Sequence, residues 1–143
     1  MRRVVVTGLG AVTPLGNSAP ETWRAALAGE SGIDWIRAFD AGEYPVRVAA
    51  EVKEFDPSVV ASPKEQRKLD RNVLMALAAG KEAVEDAGLN GFDPYRVGIA
   101  FGSAIGGIAG IMQQGEILRE RGYQRISPSF IPSVLVDAAS GQL

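Results

Sequence analysis

Two glycine-rich turns, one basic run and one proline-flanked serine cluster are the places where residue type and spacing could do chemistry. The first turn, Gly8-Leu9-Gly10, follows the apolar run Val4-Val5-Val6, as the phosphate turn of a dinucleotide-binding domain does. Such a turn lays backbone amides and a helix N-terminus against a pyrophosphate. It needs a third glycine three residues after the second, for close helix–strand packing, and that position holds Thr13. Pro14 stands where the helix would begin, and Ser18 is a better helix cap than anything before it. The acidic residue for the ribose belongs about 20 residues further on, after a second strand. Asp40 is too distant and lies among glycine and proline. The first turn therefore reads as a tight structural turn, not a nucleotide site.

The second turn, Gly102-Ser103-Ala104-Ile105-Gly106-Gly107, lacks the lysine and following Ser or Thr of a phosphate loop, so tight backbone packing is its plain reading. Lys64, Arg67, Lys68 and Arg71 share one face if a single helix spans them. Such a stripe is either a solvated face or a surface that meets an acidic partner. Ser127-Pro128-Ser129-Phe130-Ile131-Pro132 reads as a stiffened loop with an aromatic anchor.

The commonest catalytic groups are missing. The chain has no cysteine and no histidine, which removes a thiolate nucleophile, zinc–thiolate sites and the most frequent general base and metal ligand. No metal and no cofactor is expected. A net charge of −2 makes no electrostatic case for nucleic acid, and no apolar run reaches the roughly 20 residues of a membrane span. With 143 residues, 46% hydrophobic and 22% charged, the composition is that of an ordinary globular domain, expected in the cytoplasm.

The elements that must position these residues alternate in the α/β manner. Residues 3–7 read as a buried strand, and Ser18 to Glu21 as a capping box opening a helix with Trp23, Ala26 and Leu27 on one face. Residues 45–52 alternate as a half-buried strand, with Val46, Val48, Ala50 and Val52 on one side. A second capping box, Ser62 to Glu65, opens a helix over 63–87 that carries Leu69, Val73, Ala76, Leu77, Ala83, Val84 and Ala87 at helical spacing. Gly88 caps it. Residues 95–104 read as a central strand, 106–121 as a helix stopped by Gly122, and a last helix starts near Pro132. That helix reaches residue 143 with Ala138, Ala139 and Leu143 still apolar, which reads as a chain cut short.

Five stretches, in order and nearly covering the chain, resemble the β-ketoacyl-acyl-carrier-protein synthases, most of all the elongating type II form. They are RRVVVTGLGAVTPLGN (2–17), GESGI (29–33), KEQRKLD (64–70), GSAIGG (102–107) and ISPSFIPS (126–133). Polyketide ketosynthases share much of the pattern. The resemblance implies an α/β fold of thiolase-like α/β/α/β/α layering, with residues 1–143 forming part of the N-terminal domain. It also implies a homodimer and condensation of carrier-bound acyl chains with malonyl-carrier protein by a cysteine and two histidines absent from this chain. No catalytic residue is therefore expected within it, and the 143 residues alone should be inactive. For this chain the resemblance implies docking of an acidic acyl carrier protein at Lys64, Arg67, Lys68 and Arg125. Gln124 replaces a frequent basic residue there. It places Ile105 and Phe130 in the acyl pocket, with Phe130 supplied across the dimer interface. Ala104 stands for a common glycine, and Ser129 for a common aromatic. Two other readings remain open beside this one: a non-catalytic partner of the same fold, and a small α/β module binding a phosphorylated ligand.

Overall fold

The computed structural model describes residues 3–143; Met1 and Arg2, which open the first quoted motif, lie outside the described residues. Helix α3 (Arg71–Asp86) is the element on which the others are organised. Its run of Leu, Met and Ala is strongly helix-forming, and Gly88 ends it with φ +61°. One face buries Val73, Leu74 and Ala76, and Val73 is the one side chain among the described residues that is wholly enclosed. The remaining helices are α1 (Ala19–Leu27), α2 (Pro63–Gln66), α4 (Ile108–Arg121), α5 (Phe130–Val134) and α6 (Ala138–Gln142). Helix α6 lies on α3, so that a Cβ added at Gly80 would meet Leu143 Cδ2 at 2.3 Å.

The single helix expected over 63–87 is two helices. Helix α2 ends at its C-cap, Arg67, and Asp70 adopts extended backbone, φ −70° and ψ 155°. Asp70 accepts a hydrogen bond from Asn72 N at 3.2 Å, which is an N-cap in the middle of the expected helix. An aspartate immediately before an apolar-periodic run is a start signal, and here it outweighs the continuous spacing.

The segment 8–19 runs as a strap over α3. A Cβ at Gly10 would lie 1.9 Å from Ala79 O, and one at Gly8 would lie 2.2 Å from Ala83 O. Ala79, Ala83 and Ala87 recur every four residues, so their small side chains leave a flat track on which the strap's backbone rests. Two carboxylates of α3 tie it down: Asp86 accepts from Leu9 N at 2.9 Å, and Glu82 from Ala11 N and Ala19 N, both at 2.9 Å. Thr13 and Gly16 exchange backbone hydrogen bonds and close the turn. Helix α1 follows with Ser18 as its cap, while Glu21 reaches back to Asn17 N, one residue earlier than a capping box requires. Ala25 is the residue that α1 buries; Trp23 and Leu27, expected on the covered face, are 66% and 69% exposed.

One small sheet is formed among the described residues. Strands β1 (Ile33–Trp35) and β2 (Val48–Ala50) pair antiparallel, with Asp34 opposite Ala49. The expected strand 45–52 shrinks to its middle, with its alternation in the opposite phase, since Ala49 is the more covered residue. Neither 3–7 nor 97–103 enters a ladder among the described residues, which corrects the strand readings for both segments. A strand exists through its neighbour's amides and carbonyls, and neither segment lies alongside one. Their apolar side chains stand open to solvent, Val4 at 95% and Ile99 at 49%. Residues 94–96 form a short 3-10 turn in place of the strand's start. The last helix is also two, α5 and α6, parted at Leu135, whose extended backbone frees Val134 O for a partner elsewhere.

Candidate functional site

The first glycine turn is closed to anions. A phosphate needs free amides, yet those of Leu9, Ala11 and Ala19 are all donated to carboxylates of Asp86 and Glu82. Glu82 also sits at the N-terminus of α1, where its negative charge meets the positive end of the helix dipole. The glycines serve close backbone approach. Sequence reading found the turn's structural character but missed Glu82 and Asp86, which appear there only as polar residues of a helix.

The second turn is built differently. Gly106 has φ +74°, and a Cβ there would lie 2.2 Å from Val134 O. Ser103 Oγ accepts from Gly106 N at 2.9 Å, and Gly107 N donates to Val134 O at 3.0 Å. Gly110 N donates to Asp70 Oδ2 at 3.2 Å. The turn is thus gripped from Val134, the last residue of α5, and from Asp70, the cap of α3. Ile105, at its tip, has no such restraint and is 55% exposed.

An open groove of about 610 Å³ lies between the end of α2, α4 and the loop 127–133. Arg67, Lys68, Asp70 and Arg71 line it together with Phe130 and Ser129. The structure therefore brings two of the four basic candidates to the same groove as Phe130. Lys64 stands one turn earlier on α2, and Arg125 ends the 3-10 turn 123–125, two residues before Ser127. Ile105 is not among the residues of this groove. Ser127 N donates to Gln114 Oε1 at 2.9 Å, which anchors the loop on α4.

The stripe of four cations on one helix face is corrected to three. Arg71 begins α3 beyond the break, donates to Val52 O at 3.1 Å and lies over the Phe55 ring at 5.7 Å. Lys64, Arg67 and Lys68 are all exposed on α2 and its end. Glu65 sits among them. The Ser62 hydroxyl, at 2.6 Å, and the Ser62 amide, at 2.8 Å, hold its carboxyl below the usual carboxylate value, with Lys68 and Lys64 acting in the same direction. The surface is cationic with one built-in anion. Such rim charges govern encounter rate and orientation, and salt screens them.

Among the described residues no cluster of His, Cys, Asp or Glu has the geometry to hold a metal ion, and no helix is long and apolar enough to cross a membrane.

The whole chain, residues 1–143, matches the family described as Beta-ketoacyl synthase, N-terminal domain. A 3-oxoacyl-[acyl-carrier-protein] synthase 2 of Coxiella burnetii is 46% identical over 99% of this chain, and one of Vibrio cholerae is 43% identical over the same share. The chain spans 35% of the length of each of these curated relatives. The solved structure of a β-ketoacyl synthase from Burkholderia phymatum, 27% identical, superposes with a TM-score of 0.80 over 99% of this chain and 36% of that one. The unpaired segments 3–7 and 97–103 thus lie within a thiolase-like ketosynthase fold, of which these residues are the front portion. The chain belongs to the β-ketoacyl synthase family, through its N-terminal domain.

Proposed function

We propose that residues 1–143 act as the front part of a cytoplasmic condensing acyltransferase that elongates acyl-carrier-protein-bound chains with malonyl-carrier protein in fatty-acid synthesis. The observation that carries this reading is the 46% identity across essentially the whole chain to a 3-oxoacyl-[acyl-carrier-protein] synthase 2. In the proposed reaction a cysteine thiolate takes the acyl group from one carrier thioester. Malonyl-carrier protein loses carbon dioxide, its carbanion attacks the acyl carbonyl, and the cysteine thiolate leaves. The nucleophile and its histidine partners are not residues of this chain, which has neither type. Its contribution is to receive the carrier and shape the pocket.

In this reading Lys64, Arg67, Lys68 and Arg125 meet the acidic carrier protein, and Ile105 and Phe130 wall the acyl pocket, Phe130 from the partner of a homodimer. The open groove supports the first part, because two of the cations and Phe130 line it together. A further part of the reading is that the exposed apolar segments are covered by additional chain. The buried hydrophobic residues among those described are mostly alanines, with Val73, Leu74 and Val134, a small core for this length. The test is to express the complete reading frame that carries these residues and assay condensation with purified acyl- and malonyl-carrier proteins. Turnover by the long product, with none by residues 1–143 alone, supports the reading. A long product that is dimeric and folded but inert with every carrier-bound donor sinks it, and favours a non-catalytic partner of the same fold.

A further inference from the structure

The carboxylate of Asp70 holds the starts of two helices at once. Oδ1 accepts from Asn72 N and caps α3, while Oδ2 accepts from Gly110 N in the first turn of α4, both at 3.2 Å. Both helix ends carry partial positive charge, so an anion suits the position better than any neutral group. The fit is close: a Cβ at Gly107 would lie 2.7 Å from Oδ2, and one at Gly110 would lie 3.0 Å from it. Beyond Gly107 the linkage continues through its amide to Val134 O, at the end of α5, the helix that Phe130 opens. On the other side, Lys68 is only two residues before Asp70. A short run of hydrogen bonds and fixed backbone therefore connects the basic segment, the Ile105 turn and the helix of Phe130, with Asp70 at its branch point.

We propose that Asp70 is a positioning residue for chain-length selection: it fixes the Ile105 turn and α5 relative to the basic segment, so that a docked carrier presents its acyl chain to a pocket of set depth. The inference rests on the proposed condensing function. Asp70 acts through the turn it holds and touches no reacting atom.

Asp70→Asn leaves one acceptor for the two tethers. Its one remaining oxygen can serve only one of the two amides, so its NH2 group confronts either the Gly110 or the Asn72 N–H. Gly107→Ala disturbs the same carboxylate from the opposite side. Both are made in the complete reading frame and assayed with a series of acyl-carrier donors from short to long. The expected result is a change of about threefold or more in the ratio of kcat/KM between long and short donors in both variants. In Gly107→Ala, which alters no charge, the salt dependence of KM for the carrier stays that of the unmodified protein. A uniform fall across all donors, or no change, overturns the positioning role, because a merely structural defect lowers the active fraction without choosing among chain lengths. An unmodified protein inert with every donor overturns the condensing reading itself, and this inference with it. An active one whose variants keep its donor ratio overturns this inference alone.

Discussion

Residues 8–10 and residues 102–107 are both glycine-rich turns that follow an apolar run, and both are held by carboxylates from α3 or its cap. In the first, Asp86 and Glu82 take the amides of Leu9, Ala11 and Ala19, and the glycine backbone rests on Ala79 and Ala83. In the second, Asp70 and Val134 O take Gly110 N and Gly107 N at the turn's end, and Ile105 stands at the tip, exposed. The first turn spends its amides on carboxylates of α3, and its Leu9 side chain stands exposed beside them. The second is gripped at its base and presents a side chain. Glycine content is the same signal in both cases; in the first turn it serves close approach to the backbone of α3, and in the second it supplies the left-handed Gly106 that packs on Val134 O.

The largest effect is expected where backbone touches backbone. Gly10→Ala puts a methyl 1.9 Å from Ala79 O, and nothing there can move without lifting the strap from α3. Lifting it breaks the bonds to Asp86 and Glu82 as well, so the expected loss is about 4 kcal/mol or more. Denaturant unfolding of the complete polypeptide measures it. A loss under about 1 kcal/mol would mean the strap is not seated as described.

Gly106→Ala comes next. Its φ of +74° disfavours any side chain, and the added Cβ would meet Val134 O at 2.2 Å. The two penalties together suggest about 3 kcal/mol. The same substitution should alter the Ile105 tip, so donor selectivity should change along with stability. Stability lost with selectivity intact would assign this turn to the same class as the first.

These contrasts also mark what could be read from the residues in advance. The helices over 19–27 and 108–121, and the helical character of 71–86 though not its start, were legible from spacing, because a helix satisfies its own backbone and needs only one covered face. Of the three expected strands, only the middle of 45–52 forms among the described residues. Val4-Val5-Val6 and Val97 to Phe101 have the right composition, but a strand is completed by another segment, and composition does not say whether one is alongside. Asp70 was legible in principle, as an aspartate before an apolar run, and was hidden by the helical spacing that continues across it. Glu82 and Asp86 had no local signal at all, since their partners lie 71 and 77 residues away. For the candidate site, the resemblance implies carrier docking for Arg67 and Lys68 and a pocket wall for Phe130, and all three line one groove. It gave no sign that Arg71 is engaged with Val52 and Phe55.

Glu82→Gln tests the first turn more gently. The amide keeps the shape of the side chain but turns one of its two accepting oxygens into a donor, facing Ala11 N or Ala19 N. One buried-side hydrogen bond and the favourable charge at the start of α1 are lost, an expected cost of about 1–2 kcal/mol in denaturant unfolding. Arg67→Glu should cost almost no stability, within about 0.5 kcal/mol, because among the described residues the guanidinium's one hydrogen-bond partner is Pro63 O in its own helix. Its expected effect is on encounter with an acidic carrier: association about tenfold slower at low salt, the difference fading as ionic strength rises. An unchanged rate would remove α2 from the docking surface.

The smallest expected effect concerns Glu65, the one carboxylate inside the basic segment. Its partners, first the Ser62 hydroxyl and then the Ser62 amide, lower its carboxyl below the unfolded value. A group lowered in this way stabilises the folded state fully above the unfolded value, and that stabilisation is lost as pH falls through the folded one. Ser62→Ala removes the first of these partners, so the stability gap between the two proteins should be widest above about pH 5 and should close progressively in more acid solution. Denaturant unfolding at a series of pH values measures it. A gap that stays constant with pH would mean that Ser62 acts on α2 without Glu65. A closing gap would further mean that, in acid, the segment carrying Lys64, Arg67 and Lys68 loses both its internal anion and part of what fixes its first turn.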